Sequence, residues 1–304
     1  MHSSLNYRVI SFYKFIDLDN LEQLKINLYG FLKKNDFKGT VLIAREGING
    51  TLSCEKSKIV ILKNFLKKNF KSNLSYKIHH YKSHVFLRLK IKIKNEIIKL
   101  GKKNLKPRLQ SGKYVKPDQW DKLIKKDNVV TLDTRNHYES EIGTFKNSVE
   151  TKLSNFTEFP EWFEKNKKFF ENKEIAMFCT GGIRCEKASS YLLKLGYNKI
   201  HQLDGGIINY LKKTKNEEKE WQGECFVFDE RVSINENLNK GKYFQCFACR
   251  SAISDAEKKS KNYKKGVYCP KCKKKTSKTQ KKRFNERNKQ IKIAKSKGIR
   301  HLGS

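Results

Sequence analysis

The chain has 304 residues and a formal charge of +36, from 67 Lys and Arg against 31 Asp and Glu. Mean hydropathy is −0.75 and no apolar run approaches the roughly 20 residues that cross a bilayer, which excludes a helical membrane protein. Eight cysteines in a chain whose opening, MHSSLNYRVISFYKF, lacks an apolar leader core point to thiol chemistry or metal binding, not to a disulfide framework. The expected location is the cytoplasm. The charge has two open readings: a polyanionic partner, whose counterions are released on binding, or compositional drift, since Lys greatly outnumbers Arg.

Residues 1–94 read as one α+β unit. YRVISFYKF alternates like a strand, and DLDNLEQLKINLYGFLKKN has helical spacing, with Asp17 or Asp19 available as a cap. GTVLIAREGINGTLSC predicts two strands around a hairpin at Glu46–Gly50, with Asn-Gly inside it. EKSKIVILKNFLKKNF predicts a second helix, and HVFLRLKIKIK a closing strand. The order β-α-β-β-α-β is that of a ferredoxin-like split unit. Along the closing strand Leu87, Leu89, Ile91 and Ile93 share one face, and Arg88, Lys90, Lys92 and Lys94 the other. That basic row is either a solvated face or a track for an RNA phosphate backbone. His79, His80 and His84 have no accompanying ligand pattern and read as surface histidines.

Residues 95–125 read as a linker punctuated by Pro and Gly. From 126 to 219 strands and helices alternate. NVVTLDTR, EIAMFC and KIHQLDGG are strands; FTEFPEWFEKNKKFFE, CEKASSYLLKLG and GIINYLKK are helices. This pattern implies an α/β domain with a parallel sheet, whose ligands sit beyond the carboxyl ends of the strands. Cys179 stands at such an end. Residues 220–304 form a basic, cysteine-rich region: WQGECFVFDERVSI is an extended arm, and KKKTSKTQKKRFNERNKQIKIAKSKG has helical character.

The stretch CTGGIRC carries the chemistry. A glycine-rich turn lets successive amides converge on one point, a nest suited to an anion. The following helix adds its positive end, and Arg184 adds a charge. Together they favour thiolate at Cys179, supported by Thr180, Gly181, Gly182, Ile183, Arg184 and Cys185. A second constellation, C-F-A-C followed by C-P-K-C, provides Cys246, Cys249, Cys269 and Cys272, four thiolates able to close a tetrahedral structural zinc site. Cys54 and Cys225 read as small buried hydrophobes.

CTGGIR between a strand and a helix resembles the active loop of rhodanese domains. LDTRNHYESEIGTF resembles their entry motif, and HQLDGGIINYL their late Gly-Gly turn. GTVLIAREGINGTLS, VKPDQW, CTGGIRCEKAS, GECFVFDERV, the paired C-x-x-C and ERNKQIKIAKSKG occur in one order over nearly the whole chain. As a set they resemble the rhodanese-type tRNA uridine hydroxylases, the TrhO family. The resemblance implies a rhodanese-like catalytic domain over 126–219. It also implies oxygen-dependent conversion of the wobble uridine of tRNA to 5-hydroxyuridine, with O2 as co-substrate and Cys179 as the reactive cysteine.

In the mechanism this suggests, Cys179 adds to C6 of the uracil ring, and the loop amides and Arg184 stabilise the enolate at O4. Cys185 either resolves an oxidised Cys179 through a transient disulfide or serves helix-start packing. Asp133 and Arg135 brace the loop. The partner is the anticodon arm of tRNA. The electron donor, the choice of tRNA and the oligomeric state are not specified by the sequence. A sulfurtransferase passing persulfide sulfur to tRNA or to an acceptor protein is the alternative enzyme. A non-catalytic RNA-binding protein is the rival outside enzymology.

Overall fold

The computed structural model describes residues 5–72, 74–214 and 219–298. The first domain is a mixed five-stranded sheet with two helices. Its elements are β1 (Tyr7–Phe15), α1 (Leu21–Lys34), β2 (Lys38–Ala44), β3 (Gly47–Glu55), α2 (Ile59–Phe70), β4 (Ser75–Tyr81) and β5 (Leu89–Ile93), with strand order β4-β1-β3-β2-β5. All neighbours are antiparallel except β2 and β5. Ile10 and Phe12 of β1 join Val41, Ile43, Leu52, Leu28, Leu32, Leu62 and Leu66 in the core beneath the helices. The opposite face of β1 carries Tyr13 and Phe15, which pack with Ala44, Ile97, Ile98 and Ile183. Both faces of this strand are therefore covered, one by its own helices and one by the next domain.

Several local expectations are corrected. The strand that closes the split unit is β4, and the basic strand β5 adds beyond β2 at the far edge. Leu89, Ile91 and Ile93 do pack on the core, while Arg88, Lys92 and Lys94 are exposed. The hairpin turns between β2 and β3 at Arg45 and Glu46, and Asn49-Gly50 lies inside β3. Gly50 is needed there for space, because a Cβ would stand 2.6 Å from the Phe12 ring. Helix α1 starts after Asn20, with no side-chain cap, and Asp17 instead pairs with Arg108 at 3.0 Å. His79 is buried at 5% exposure, so it is not a surface histidine.

The second sheet is wholly parallel. Its elements and their flanking pieces are β6 (Lys113–Val115), α3 (Pro117–Ile124), β7 (Val129–Asp133), α4 (His137–Ser140), β8 (Gly143–Phe145), β9 (Val149–Glu150), α5 (Phe159–Asn166), β10 (Glu174–Phe178), α6 (Ile183–Lys194), β11 (Ile200–Leu203) and α7 (Gly206–Lys213). The order β6-β11-β10-β7-β9 leaves apolar side chains on both faces. Met177 and Ile175 meet α5 and α6, while Ala176 and Phe178 meet α3 and α7. Residues 113–124, read from sequence as linker, thus contribute an edge strand and a helix to this domain. Its short β-strand KYV carries too few apolar positions to announce itself.

The remaining elements are β12 (Trp221–Gly223), β13 (Cys225–Phe226), β14 (Ser233–Ile234), β15 (Phe244–Gln245), β16 (Ala252–Ile253), α8 (Asp255–Lys259) and α9 (Lys278–Ser296). The arm packs on the core as the sequence implies: β12 pairs with β8, and Cys225, Val227 and Ile234 enter the apolar cluster beside α7. Cys54 and Cys225 are fully buried, and burial pushes both thiols up to about 12.

One side chain ties the first two domains together. Lys187 of α6 is 1% exposed and reaches Glu46 at 2.8 Å, Glu96 at 2.6 Å and the Ile98 carbonyl at 2.9 Å. Glu46 in turn accepts from the Ile97 amide at 2.7 Å. Removing one partner of such a cluster leaves unmatched charge away from water. Lys187→Ala is expected to lose about 3 kcal/mol of stability, read as a lower urea midpoint.

Candidate active site

Strand β10 delivers Cys179 to the carboxyl edge of the parallel sheet, and the chain turns through Thr180-Gly181-Gly182 into α6. Gly182 adopts φ +99° and donates its amide to Cys179 Sγ at 3.1 Å. The amides of Arg184 and Cys185 and the Cys185 thiol also hydrogen-bond this sulfur. Burial alone raises the Cys179 pKa. The Cys185 hydrogen bond, the Arg184 charge and the amides outweigh burial and bring the thiol down to about 5. Cys185 moves the other way: burial and the adjacent Cys179 sulfur raise it, so it remains the thiol that donates. Thr134 Oγ1 lies 3.5 Å from Cys185 Sγ and donates to the Phe178 carbonyl at 3.0 Å.

The loop is held from two sides. At the start of α7, the Ile207 amide donates to the Cys179 carbonyl at 3.0 Å and the Ile208 amide to the Thr180 carbonyl at 3.2 Å. Gly206 allows that approach, since a Cβ there would stand 2.5 Å from the Cys179 carbonyl oxygen. On the other side Arg184 forms a bidentate pair with Glu139, at 2.6 and 2.7 Å, and Thr180 Oγ1 lies 3.5 Å from the same carboxylate. Burial opposes the Arg184 charge, but Glu139 raises its pKa and keeps it charged. Glu139 also completes the cap of α4 by accepting from the Asn136 amide at 3.2 Å.

The Glu139 pairing corrects one expectation. Arg184 shapes and polarises the loop, and its guanidinium is engaged by Glu139, not presented to a substrate oxygen. Asp133 and Arg135 act as braces. Arg135 binds Asp133 through Nε at 2.9 Å and donates to the Gly143 carbonyl at 2.6 Å.

The first domain closes over the loop. Tyr13 of β1 donates to Glu186 of α6 at 2.9 Å, and Lys77 of β4 stands 5.2 Å from the Tyr13 ring centre. Cys179 is only 1% exposed, so a molecule from solvent reaches its sulfur only if the surrounding structure opens. Glu139, Glu186, Tyr13 and Lys77 were not singled out by the sequence reading. The one legible signal was Glu139, in the capping arrangement of NHYE.

The four cysteines of the third region converge. Sγ–Sγ separations are 3.9 Å for Cys246–Cys272 and 3.7 Å for both Cys249–Cys269 and Cys269–Cys272, and all four sulfurs lie within 4.8 Å of one another. A zinc ion with four sulfurs at about 2.3 Å requires edges of about 3.8 Å. The set fits a closed structural site that crosslinks the β15–β16 hairpin to the segment before α9. Arg287 of α9 seals it by donating to the Phe247 and Gly266 carbonyls. The basic row lies nearby: burial, with Arg88, Lys92 and Arg250 close at hand, lowers the Lys90 pKa.

Residues 7–97 match the family described as UPF0176 acylphosphatase-like domain, and residues 116–213 match the rhodanese-like domain. A Rhodopseudomonas palustris protein of unknown function, described as a possible tyrosine phosphatase, is 21% identical over 33% of this chain and 80% of its own, with a TM-score of 0.30. A rhodanese-related protein from Thermoplasma volcanium is 22% identical over 34% of this chain and 95% of its own, with a TM-score of 0.28. A Bacillus halodurans protein is 19% identical over 38% of this chain and 79% of its own, with a TM-score of 0.27. Among the described residues no helix is long and apolar enough to cross a membrane.

Protein purified without chelator is expected to carry about one zinc per chain, measured by elemental analysis, and Cys269→Ser is expected to lose it. A content below about half an equivalent contradicts the four-thiolate site.

Proposed function

Because the chain belongs to the UPF0176 (TrhO) family, which joins an acylphosphatase-like domain to a rhodanese domain, we propose that it is a tRNA-modifying oxidoreductase. Its reaction is the O2-dependent hydroxylation of the wobble uridine to 5-hydroxyuridine. The observation that carries this reading is the thiol brought down to about 5 in a nest of amides, a nucleophile charged at neutral pH. Thiolate addition to C6 forms the S–C6 bond and moves the ring π pair towards C5 and O4, so C5 becomes the electron-rich carbon. One oxygen atom of O2 goes to C5. The other leaves as water, with two protons and two electrons from a thiol donor. Cys185 supports that balance, since its hydrogen bond to Cys179 suits a transient disulfide that takes up the oxidising equivalent.

The anticodon arm supplies a partner of matching chemistry. Its bases are already unpaired, which lowers the cost of turning one out of the stack. In the basic row at Arg88, Lys90, Lys92 and Lys94, the charges of Arg88, Lys92 and Arg250 stand close to Lys90, which favours a phosphate partner. Entry of the base requires the seam between Tyr13 and Glu186 to open and to close again behind it.

Cys179→Ser is expected to abolish 5-hydroxyuridine, measured by nucleoside mass spectrometry of tRNA from cells carrying only the variant, and to leave tRNA binding intact. Retained 5-hydroxyuridine removes Cys179 from the chemistry. Thiosulfate:cyanide transfer by the wild type without any hydroxylated tRNA favours the sulfurtransferase instead.

A further inference from the structure

Glu186 follows Cys185 in the first turn of α6, and neither the sulfur nest nor the Arg184–Glu139 brace uses it. Its carboxyl accepts from the Tyr13 hydroxyl of the first domain at 2.9 Å and is also hydrogen-bonded by Tyr114 of β6. The Tyr13 hydroxyl lies against the loop itself, since a Cβ on Gly182 would stand 3.0 Å from it. Gly182 is the residue whose amide touches Cys179 Sγ. The Tyr13 hydroxyl is thus close both to the Glu186 carboxyl and to the loop that holds the sulfur. A Cβ on the neighbouring Gly181 would meet nothing within 4 Å, so the loop has open space beside this network.

The charge around Glu186 suits proton exchange. Burial raises its carboxyl pKa, while Tyr114, Tyr13, Lys14 and Lys77 work in the opposite direction. A carboxyl moved towards neutrality gives up and regains a proton more readily at working pH than an ordinary glutamate. Tyr13 itself stays protonated, since burial and the Glu186 charge raise it.

We propose that Glu186 is the acid–base group that delivers a proton to, and removes it from, C5 of a pyrimidine captured by Cys179, with Tyr13 of the first domain as its positioning residue. The inference rests on the uridine reading above. When the thiolate adds at C6, the S–C6 bond forms and the C5=C6 pair becomes an enolate; the Glu186 carboxylic acid protonates C5 and becomes a carboxylate. In reverse, once the bound ring has turned so that the original hydrogen faces it, the carboxylate takes that proton from C5. The double bond re-forms and the thiolate leaves, with the solvent-derived hydrogen retained at C5. After oxygen has reached C5, the same removal of the C5 proton restores the ring and frees the sulfur. The addition and its reversal need no oxidant, so they proceed without O2.

The test is C5–H exchange of the wobble uridine in D2O without oxygen, using the full-length protein and an anticodon stem-loop RNA, read by mass spectrometry. Wild type is expected to incorporate deuterium at that position, and Glu186→Gln to slow incorporation about 100-fold or more. Tyr13→Phe, which keeps the ring and removes the hydroxyl, is expected to slow it less. Ultraviolet titration of the Cys179 thiolate is expected to be unchanged in Glu186→Gln, which shows that the loop is folded. Exchange by Glu186→Gln at the wild-type rate overturns the role of Glu186 and leaves the uridine reading standing. Absence of exchange in the wild type, with no hydroxylation in air, overturns both.

Discussion

A buried sulfur carries negative charge only if other donors replace the water it has lost. At Cys179 those donors are the backbone amides of a tight turn, the Cys185 thiol and the charge of Arg184. None of them works unless the turn keeps its shape. Gly182 supplies a backbone angle that other residues rarely adopt, and Gly206 lets α7 press its amides onto the loop carbonyls. Glu139 fixes Arg184, and its own position follows from capping α4. The loop around Cys179 is therefore assembled by three segments, at α4, at the turn into α6 and at the start of α7, that meet at the carboxyl edge of one parallel sheet.

The first domain is built around the same helix. Glu186 and Lys187 are consecutive on α6, and both reach across the seam, one to Tyr13 and the other to Glu46 and Glu96. One buried ammonium matched by two carboxylates gives this junction a defined register. The outcome is a thiol favoured as thiolate by its own loop and closed off from solvent. The zinc-type knuckle meets the second domain through Lys271, which pairs with Glu141 at 2.8 Å.

The cysteine loop and the four-cysteine knuckle were legible because a glycine-rich anion nest and a four-thiolate set both need particular residues at close sequence spacing. The parallel domain was legible because its strands are continuous apolar runs. Strand β4 escaped because SYKIHHY mixes polar residues on a strand whose two faces meet two different domains, so no single alternation survives. The more apolar LKIKI took its place in the sequence reading. Lys187 and Tyr13 escaped for a common reason: each acts through a partner far away in the chain, and a lone Lys or Tyr carries no spacing signal. Asp133 and Arg135, expected to brace the loop, clasp each other and the carbonyls of Glu139 and Gly143, and the engagement of Arg184 by Glu139 joins residues 45 apart in sequence.

The central claim is the charge state of one thiol. Titrating the thiolate ultraviolet absorbance of the wild type against Cys179→Ser isolates that group. The account predicts a midpoint of about 5, more than three pH units below the ordinary thiol value of about 8.5. A midpoint at or above that ordinary value would contradict it.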